Sequence, residues 1–363
     1  MSVPAFEAVA EQYEAKRLLS AALVDGPRHA YLLHGPPGVG KRELALRFTA
    51  ELLDDRVRVE RRTHPDLYVL EPVGDQIRID DIRELRRDLH MRPFEASRRV
   101  YVVFSADTMN EDAADALLKD LEEPPSYAVI VLVADDLGPL PETILSRCQL
   151  VPFRRLSERA VSEAIRTRAP ELPESEVTTI ARIAGGRLDR AERLLDPAAA
   201  KRRETLLGVA RAVYLDSGFD SADGAHALLA GIAERGAEAK EQAEEIVAML
   251  ELTGREAEQR VRRSQRGAER DELLAALEEL ELWYRDLVVV AAGAESAAVH
   301  VDRLDELRAD ATRERLVGAE RACEVVRAAW REAEELQVSV PLALEALLVR
   351  LRRELVGRAL AGA

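Results

Sequence analysis

The residues best suited to chemistry lie near the start of the chain, in the stretch Tyr31-Leu32-Leu33-His34-Gly35-Pro36-Pro37-Gly38-Val39-Gly40-Lys41-Arg42. Gly35, Gly38, Gly40 and Lys41 have the spacing of a phosphate-binding loop, in which glycines let successive backbone N–H groups face one concavity. The helix that follows would direct its positive N-terminal end at the phosphate, and Lys41 would add a point charge. The stretch therefore predicts a phosphate loop with ATP or ADP as its ligand.

One position of this loop departs from the pattern. Arg42 stands where such loops carry a Ser or Thr hydroxyl that binds Mg²⁺. The residues leave two roles open for Arg42. Its charge could replace the metal beside a weakly bound, metal-free diphosphate, or its side chain could block the pocket and leave the loop vestigial.

A second metal-handling position departs as well. In working ATPases of this type, a neighbouring strand ends in acidic residues that hold Mg²⁺ and polarise the attacking water. Here the candidate strand Val100–Val103 is followed by Phe104 and Ser105, and neither can hold a metal or act as a base. Asp107 is the nearest substitute, and we interpret it as a cap for the following helix. We therefore expect no hydrolysis at this loop.

The elements that would position these residues alternate between strand and helix. Short apolar runs rich in β-branched residues predict buried parallel strands, and helical patterns lie between them. The predicted strands are Ala30–Leu33, Leu67–Leu70, Val100–Phe104 and Val129–Val133. The predicted helices are 43–53, Asp80–Leu89 and Glu111–Glu122, the last ended by Pro124-Pro125. This order predicts an α/β domain with a parallel sheet.

From Ser157 onward, the sequence pattern predicts helices. Ser157 has the position of a helix N-cap, and after Asp196-Pro197 long Ala/Glu/Arg/Leu-rich helices follow, with breaks near Gly218, Gly293 and Pro341. We predict an α/β domain over residues 1–155, a small helical lid domain over 156–200 and a helical C-terminal domain over 201–363.

Composition narrows the class of protein. The chain has 363 residues and a formal net charge of −15, which argues against a generic nucleic-acid binder. Its two cysteines, Cys148 and Cys323, have no metal-binding spacing and suit a reducing compartment. We expect no signal peptide, no membrane span and a cytoplasmic location.

Two further stretches carry a specific resemblance. Residues 116–125 (ALLKDLEEPP) and 140–149 (LPETILSRCQ) resemble the motifs of bacterial clamp-loader AAA+ subunits of DNA polymerase III. Support comes from four shorter stretches: Gly40-Lys41-Arg42, His64-Pro65-Asp66-Leu67, 79–85 (IDDIREL) and 106–110 (ADTMN). In the last third, 283–287 (WYRDL) and 338–345 (VSVPLALE) resemble the helices by which the family forms its oligomeric collar.

The resemblance implies a role for Arg147. The family's Ser-Arg-Cys motif, here Ser146-Arg147-Cys148, carries an arginine finger that reaches into the nucleotide site of the neighbouring subunit. A planar, permanently charged guanidinium supplied in trans can stabilise charge that develops on a transferring phosphoryl group. Without the surrounding motif, the same arginine would be interpreted as half of a surface ion pair.

The resemblance also identifies two nucleotide-sensing positions that have changed. The polar residue that active members place after the fourth strand falls at Ala134-Asp135 here. The arginine of their small domain falls at Asp189. The adjacent Arg187 or Arg190 could compensate for it, but we expect both to be solvated. These losses imply a non-hydrolysing scaffold subunit of a DNA polymerase holoenzyme, with no polymerase active site of its own. The alternatives are a catalytically active, tau/gamma-like ATPase subunit and a helical adaptor.

The implied partners are the other loader subunits, of the tau/gamma ATPase and delta types. The assembled complex would contact the sliding clamp and primed DNA. Many family members bind zinc through four cysteines between the phosphate-loop helix and the His-Pro-Asp stretch, but residues 51–63 contain none, so we predict no zinc. The arginine-rich stretch Arg255–Arg270 is interpreted as a solvated, ion-paired helix rather than a contact with DNA or a partner. We interpret His29, His64, His90 and His300 as structural.

Overall fold

A computed structural model describes residues 3–72, 76–249, 254–335 and 339–356 of the chain. These residues form two compact units. The first contains the described residues within 1–172 and 184–191, and the second contains the described residues within 173–183 and 192–363. The three domain boundaries expected from the sequence stay a prediction.

The first unit is built on a five-stranded parallel sheet. Its strands are β1 (Ala30–His34), β2 (Leu67–Leu70), β3 (Arg99–Val103), β4 (Ala128–Ala134) and β5 (Gln149–Pro152), in the order β2-β3-β4-β1-β5. The helices of this unit are α1 (Tyr13–Asp25), α2 (Lys41–Leu53), α3 (Arg56–Glu60), α4 (Ile79–Leu89), α5 (Glu111–Glu122), α6 (Glu142–Leu145) and α7 (Glu158–Arg168).

Both faces of this sheet are covered, which explains why its strands are continuously apolar. Alternate residues of β1 point to opposite faces: Tyr31 and Leu33 pack in the cluster formed with α1 and α2, whereas Leu32 packs in the cluster formed with α4 and α5. The ring of Tyr31 meets that of Phe48 edge to face at 5.1 Å. This packing fixes the strand that leads into the phosphate loop.

The two helices α8 (Glu174–Ala184) and α9 (Leu188–Leu195) follow α7. The second unit then continues with α10 (Pro197–Leu215), α11 (Ser221–Met249), α12 (Gly254–Ala291), α13 (Leu304–Asp310), α14 (Arg313–Glu335) and α15 (Val340–Val356). The α/β and all-helical classes expected from the sequence are therefore confirmed. Ser157 caps α7 as expected, because its hydroxyl accepts a hydrogen bond from Ala160 N at 3.2 Å.

The core of the second unit is centred on two aromatic residues of α12. Trp283 and Tyr284 are fully buried; Trp283 Nε1 donates to the Tyr214 hydroxyl at 3.2 Å, and Tyr284 donates to Ala210 O at 3.2 Å. The part of the resemblance at 283–287 therefore lies inside the helical unit. In the other collar-like stretch, 338–345, Val338 lies outside the described residues.

Candidate functional site: the phosphate loop and its surroundings

The loop lies where the parallel strands end. Gly35 follows β1, Glu71 follows β2, Phe104 follows β3 and Asp135 follows β4, so one edge of the sheet presents all four positions. Ligand sites of open parallel sheets are found at this carboxyl edge. His34 of β1 is in register with Ala134 of β4, which brings the start of the loop beside Asp135.

Glycine is required at two positions of the loop. Gly35 has φ +136°, and a Cβ there would lie 2.3 Å from the backbone oxygen of Phe153. Gly38 has φ +66°, and its Cβ would lie 1.7 Å from Asp189 Oδ1. A side chain at either position would combine an unfavourable backbone conformation with a direct clash. The loop geometry expected from the spacing is present, while the binding of a nucleotide stays a prediction.

The ammonium group of Lys41 binds to groups of the loop and of the residue after β4. Only 4% of its side chain is exposed, and its ammonium donates to Gly35 O and Pro36 O and pairs with Asp135 Oδ1 at 2.7 Å. Burial lowers the pKa of Lys41 below its usual value, and Asp135 offsets part of that shift. The cation of the loop thus already has a carboxylate partner.

Arg42 packs against the residue that replaces the acidic metal ligand. Its guanidinium carbon lies 4.2 Å from the centroid of the Phe104 ring, and Nη2 pairs with Glu71 Oε1. Arg62 shares this carboxylate at 2.9 Å. At the two positions where ATPases of this type bind Mg²⁺, Arg42 and Phe104 therefore form a cation–π contact with each other, and Arg42 also forms an ion pair with Glu71.

The interpretation of Asp107 as a cap for the following helix is wrong. The cap of α5 is Asn110, whose side-chain oxygen accepts from Ala113 N at 3.0 Å. Asp107 Oδ2 instead accepts from the backbone N–H groups of Asp135 and Asp136, each at 3.1 Å. Burial raises the pKa of Asp107 above its usual value. Its carboxylate therefore fixes the backbone of the turn that follows β4 and starts at Asp135.

Asp189 lies against the loop from the start of α9. Leu188 N donates to Gly38 O at 2.7 Å, and the Asp189 carboxylate touches Gly38. The expectation that Arg187 and Arg190 are solvated is wrong. Arg187 holds Asp189 through Nη2 at 2.7 Å and Nε at 3.2 Å, and both arginines are largely buried. Although burial raises the pKa of Asp189, Arg187 outweighs this and keeps it below the usual value.

Arg147 lies outside this group of residues, in the turn between α6 and β5. Its Nη2 pairs with Glu122 Oε1, and its Nη1 donates to Thr143 O at 2.9 Å. About a third of the side chain is exposed, at 32%. The geometry is that of a partly accessible surface ion pair, and its role in trans stays a prediction.

Gln12 contacts the loop without having been expected from the sequence. Its amide nitrogen donates to Val39 O at 3.3 Å and to Arg154 O at 2.7 Å, and its oxygen accepts from Arg154 N at 3.1 Å. Both Glu11 and Gln12 have positive φ, of 50° and 48°. A glutamine just before a helix is too common to predict such contacts, whereas an Asp after a β-branched strand, as at Asp135, is a usable signal.

Within the described ranges, no group of three or more His, Cys, Asp or Glu side chains converges to hold a metal. The same ranges contain no helix with the length and apolar character of a membrane span. The arginine-rich stretch lies on α12, where Arg262 pairs with Glu258 at 3.8 Å, Arg255 is exposed and Arg270 is half-buried. A role for these arginines in DNA contact stays untested.

Comparisons with known proteins place the resemblance in the first unit. A family model described as DNA polymerase III, delta subunit, matches residues 11–157. The delta' subunit of Bacillus subtilis DNA polymerase III is 32% identical over 162 residues, covering 41% of this chain and 49% of that protein. The delta' subunit of Pseudomonas aeruginosa is 34% identical over 181 residues, covering 46% and 55%. The chain thus spans about half the length of the curated relatives it matches.

Two proteins of lower sequence identity match a larger share of this chain. The tau subunit of Bacillus subtilis is 27% identical over 209 residues, covering 53% of this chain and 37% of that protein. Among solved structures, a gamma subunit-related protein of Thermotoga maritima aligns with a TM-score of 0.42 at 18% identity, covering 94% of this chain and 99% of that chain.

Proposed function

We propose that the chain is a delta'-type, non-hydrolysing subunit of a bacterial DNA polymerase III clamp loader. The proposal is supported by the match of residues 11–157 to a family model of DNA polymerase III, delta subunit, and by 32% and 34% identity to two delta' subunits. It would join tau/gamma-type and delta-type subunits in the loader. The assembled complex would place the sliding clamp on primed DNA. Arg147 would complete the nucleotide site of the adjacent ATPase subunit.

The stacking of Arg42 on Phe104 carries the proposal that this subunit does not hydrolyse ATP. Phosphoryl transfer in this class needs Mg²⁺ at the phosphates and an oriented water, and protein hydroxyl and carboxylate groups hold both. Here an arginine and a phenyl ring occupy those positions and contact each other. The chain therefore has a phosphate loop without the groups that would use it.

Arg147 is suited to donation because its present partner is easily replaced. Exposed arginine–carboxylate pairs contribute only about 0–1 kcal/mol, so exchanging Glu122 for a phosphate oxygen of a neighbouring subunit costs little. A guanidinium also keeps its charge at every physiological pH, as a finger residue must.

The test is ATP turnover by the reconstituted loader with clamp and primed DNA. Arg147→Ala should leave assembly intact and lower turnover at the adjacent site by about 10³-fold, the scale of an arginine finger. Arg159→Ala, which removes an 87%-exposed arginine paired with Glu163 in α7, is the matched control and should change neither property. Loss of assembly in Arg147→Ala would make the residue structural, and unchanged turnover would refute the role in trans.

The alternative is an active, tau/gamma-like ATPase subunit. The intact Gly38-Val39-Gly40-Lys41 sequence and the similarity to tau favour it, and ATP turnover by the chain alone distinguishes it from the proposed function. The purified chain alone should show no ATP turnover above background. Turnover that disappears in Lys41→Ala would establish an autonomous ATPase instead.

A further inference from the structure

The ammonium of Lys41 has no hydrogen-bond donor left for a ligand. A lysine carries three N–H donors. Gly35 O, Pro36 O and Asp135 Oδ1 account for three acceptors, and all belong to this chain. A phosphate that approached the loop would have to displace one of them and would meet the negative charge of Asp135 first.

Asp135 is the replaceable member of this set. Its side chain is 55% exposed, so its carboxylate can turn into solvent without becoming an unpaired buried charge. The two carbonyl groups belong to the loop itself and cannot leave. Asp107 holds the backbone at Asp135 and Asp136, so the strand end stays in place when the Asp135 side chain is changed.

A second carboxylate closes the loop at Gly38. Asp189 Oδ1 occupies the space that a Cβ of residue 38 would need, and Leu188 N donates to the carbonyl of Gly38. The fork of Arg187 fixes the orientation of Asp189. Two carboxylates from distant parts of the sequence therefore lie on a loop whose backbone and lysine favour anions.

We propose that the loop is a latent site for the diphosphate of a nucleotide, masked by Asp135 on Lys41 and by Asp189 on Gly38. This inference rests on the proposed function in that the loop has no catalytic duty in this subunit. Removing the two charges replaces the ion pair of Lys41 with a weaker hydrogen bond that a phosphate can displace, and it removes like-charge repulsion of that phosphate. Binding at the unmasked loop is independent of Mg²⁺, because Arg42 and Phe104 occupy the metal-handling positions.

The experiment measures ADP binding to the full-length chain by titration calorimetry, once with Mg²⁺ and once with EDTA. Asp135→Asn and Asp189→Asn should each raise the affinity for ADP about 10-fold, as expected when one charge-assisted hydrogen bond to phosphate forms or one like-charge repulsion is removed. The double variant should bind about 100-fold more tightly than the unmodified chain, equally in both buffers. Adding Lys41→Ala to the double variant should abolish this increase in affinity.

Asp136→Asn is the matched control. It removes the same charge one residue further on, where the carboxylate accepts from Gly138 N at 3.0 Å, and should leave ADP affinity unchanged. Tight, Lys41-dependent ADP binding by the unmodified chain would overturn the masking. So would a correctly folded double variant, judged by circular dichroism, whose affinity does not rise, or a rise that Asp136→Asn equals. None of these outcomes bears on Arg147, whose test is turnover at another subunit.

Discussion

The guanidinium carbon of Arg42 lies 4.2 Å from the centroid of the Phe104 ring. Phe104 is fully buried at the end of β3, whereas Arg42 is 52% exposed at the start of α2. Each residue alone is a departure from the ATPase pattern. Their contact shows that the two departures form one packed arrangement, completed by Glu71, in which a metal ion has no oxygen ligand from either residue.

This arrangement predicts unequal costs for removing its two members. Arg42→Ala should lower the free energy of unfolding by about 0.5–1.5 kcal/mol, since it removes an exposed ion pair and a cation–π contact. Phe104→Ala should cost about 3–5 kcal/mol, because it leaves a cavity in the core. Urea unfolding followed by circular dichroism measures both. Equal costs would mean that the ring is supported mainly by the arginine rather than by the core.

Most of the sheet was predictable from local sequence. The four predicted strands lie within one residue of β1, β2, β3 and β4, because buried parallel strands are short, β-branched and continuously apolar. β5 was missed for a physical reason. It is a four-residue strand with Gln149 and Pro152 at its ends, so the apolar pair Leu150-Val151 between them is too short a run to indicate a buried strand.

The contacts of the site were less predictable than its elements. Lys41 and Asp135 were each identified, but their ion pair depends on the pairing of β1 with β4, which no local pattern specifies. Asp107 was misinterpreted because it lies close to a helix start that Asn110 in fact caps. The contact of Asp189 with Gly38 joins segments far apart in sequence, beyond the reach of spacing arguments.

Asp66 predicts a loss of stability that depends on acid pH. Its fully buried carboxylate accepts from three successive backbone N–H groups, of Phe94, Glu95 and Ala96, at 2.5–2.9 Å. Burial raises the pKa of Asp66, but these bonds and Arg99 outweigh it and hold the pKa below its usual value. The stabilisation is therefore present above about pH 4, the unfolded-state pKa, and is lost as the pH falls through the folded-state pKa.

Asp66→Asn should accordingly lower the free energy of unfolding by about 3 kcal/mol at pH 7, because its amide cannot accept all three bonds. The difference from the unmodified chain should shrink below pH 4, as measured by urea unfolding at a series of pH values. Asp80→Asn, on an 86%-exposed carboxylate of α4, is the control and should change stability by less than about 0.5 kcal/mol. A difference that is constant with pH would exclude the charge as the cause.

The exposed apolar residues of α15 predict which surface attaches the helical unit to the proposed loader. Leu342 is 65% exposed and Val349 53% exposed, and seven residues of separation places them on one face of the helix. Leu342→Glu with Val349→Glu should leave folding unchanged but weaken incorporation into the reconstituted loader at least about 10-fold, because two apolar contacts are replaced by charges. Size-exclusion chromatography of the mixed subunits measures incorporation.

The control for this surface is Val24→Glu, which adds a charge at an 83%-exposed valine of α1. It should leave incorporation unchanged. Normal incorporation of the α15 double variant would place the attachment elsewhere on the chain.

His300 predicts that the helical unit loses stability as the pH rises. The imidazole is fully buried, with Nδ1 2.8 Å from Asp286 Oδ2 and Nε2 3.1 Å from Glu279 Oε1. Arg203 and Arg285 also pair with these two carboxylates. Burial alone would lower the pKa of His300, but Asp286 and Glu279 outweigh it and raise the pKa above its usual value. The stabilisation is therefore complete below about pH 6.5 and is lost as the pH rises through the folded-state pKa.

His300→Gln should lower the free energy of unfolding by about 3–5 kcal/mol at pH 6, because it removes the charged partner of two buried carboxylates. The difference from the unmodified chain should become smaller as the pH rises through the folded-state pKa of His300. Tryptophan fluorescence during urea unfolding reports on this unit, since both tryptophans, Trp283 and Trp330, lie within it. His226→Gln, at an exposed histidine of α11, should give curves parallel to the unmodified chain. If His300→Gln also gives a constant offset from pH 6 to 9, the buried imidazole does not titrate in that range and the predicted loss of stability with rising pH is wrong.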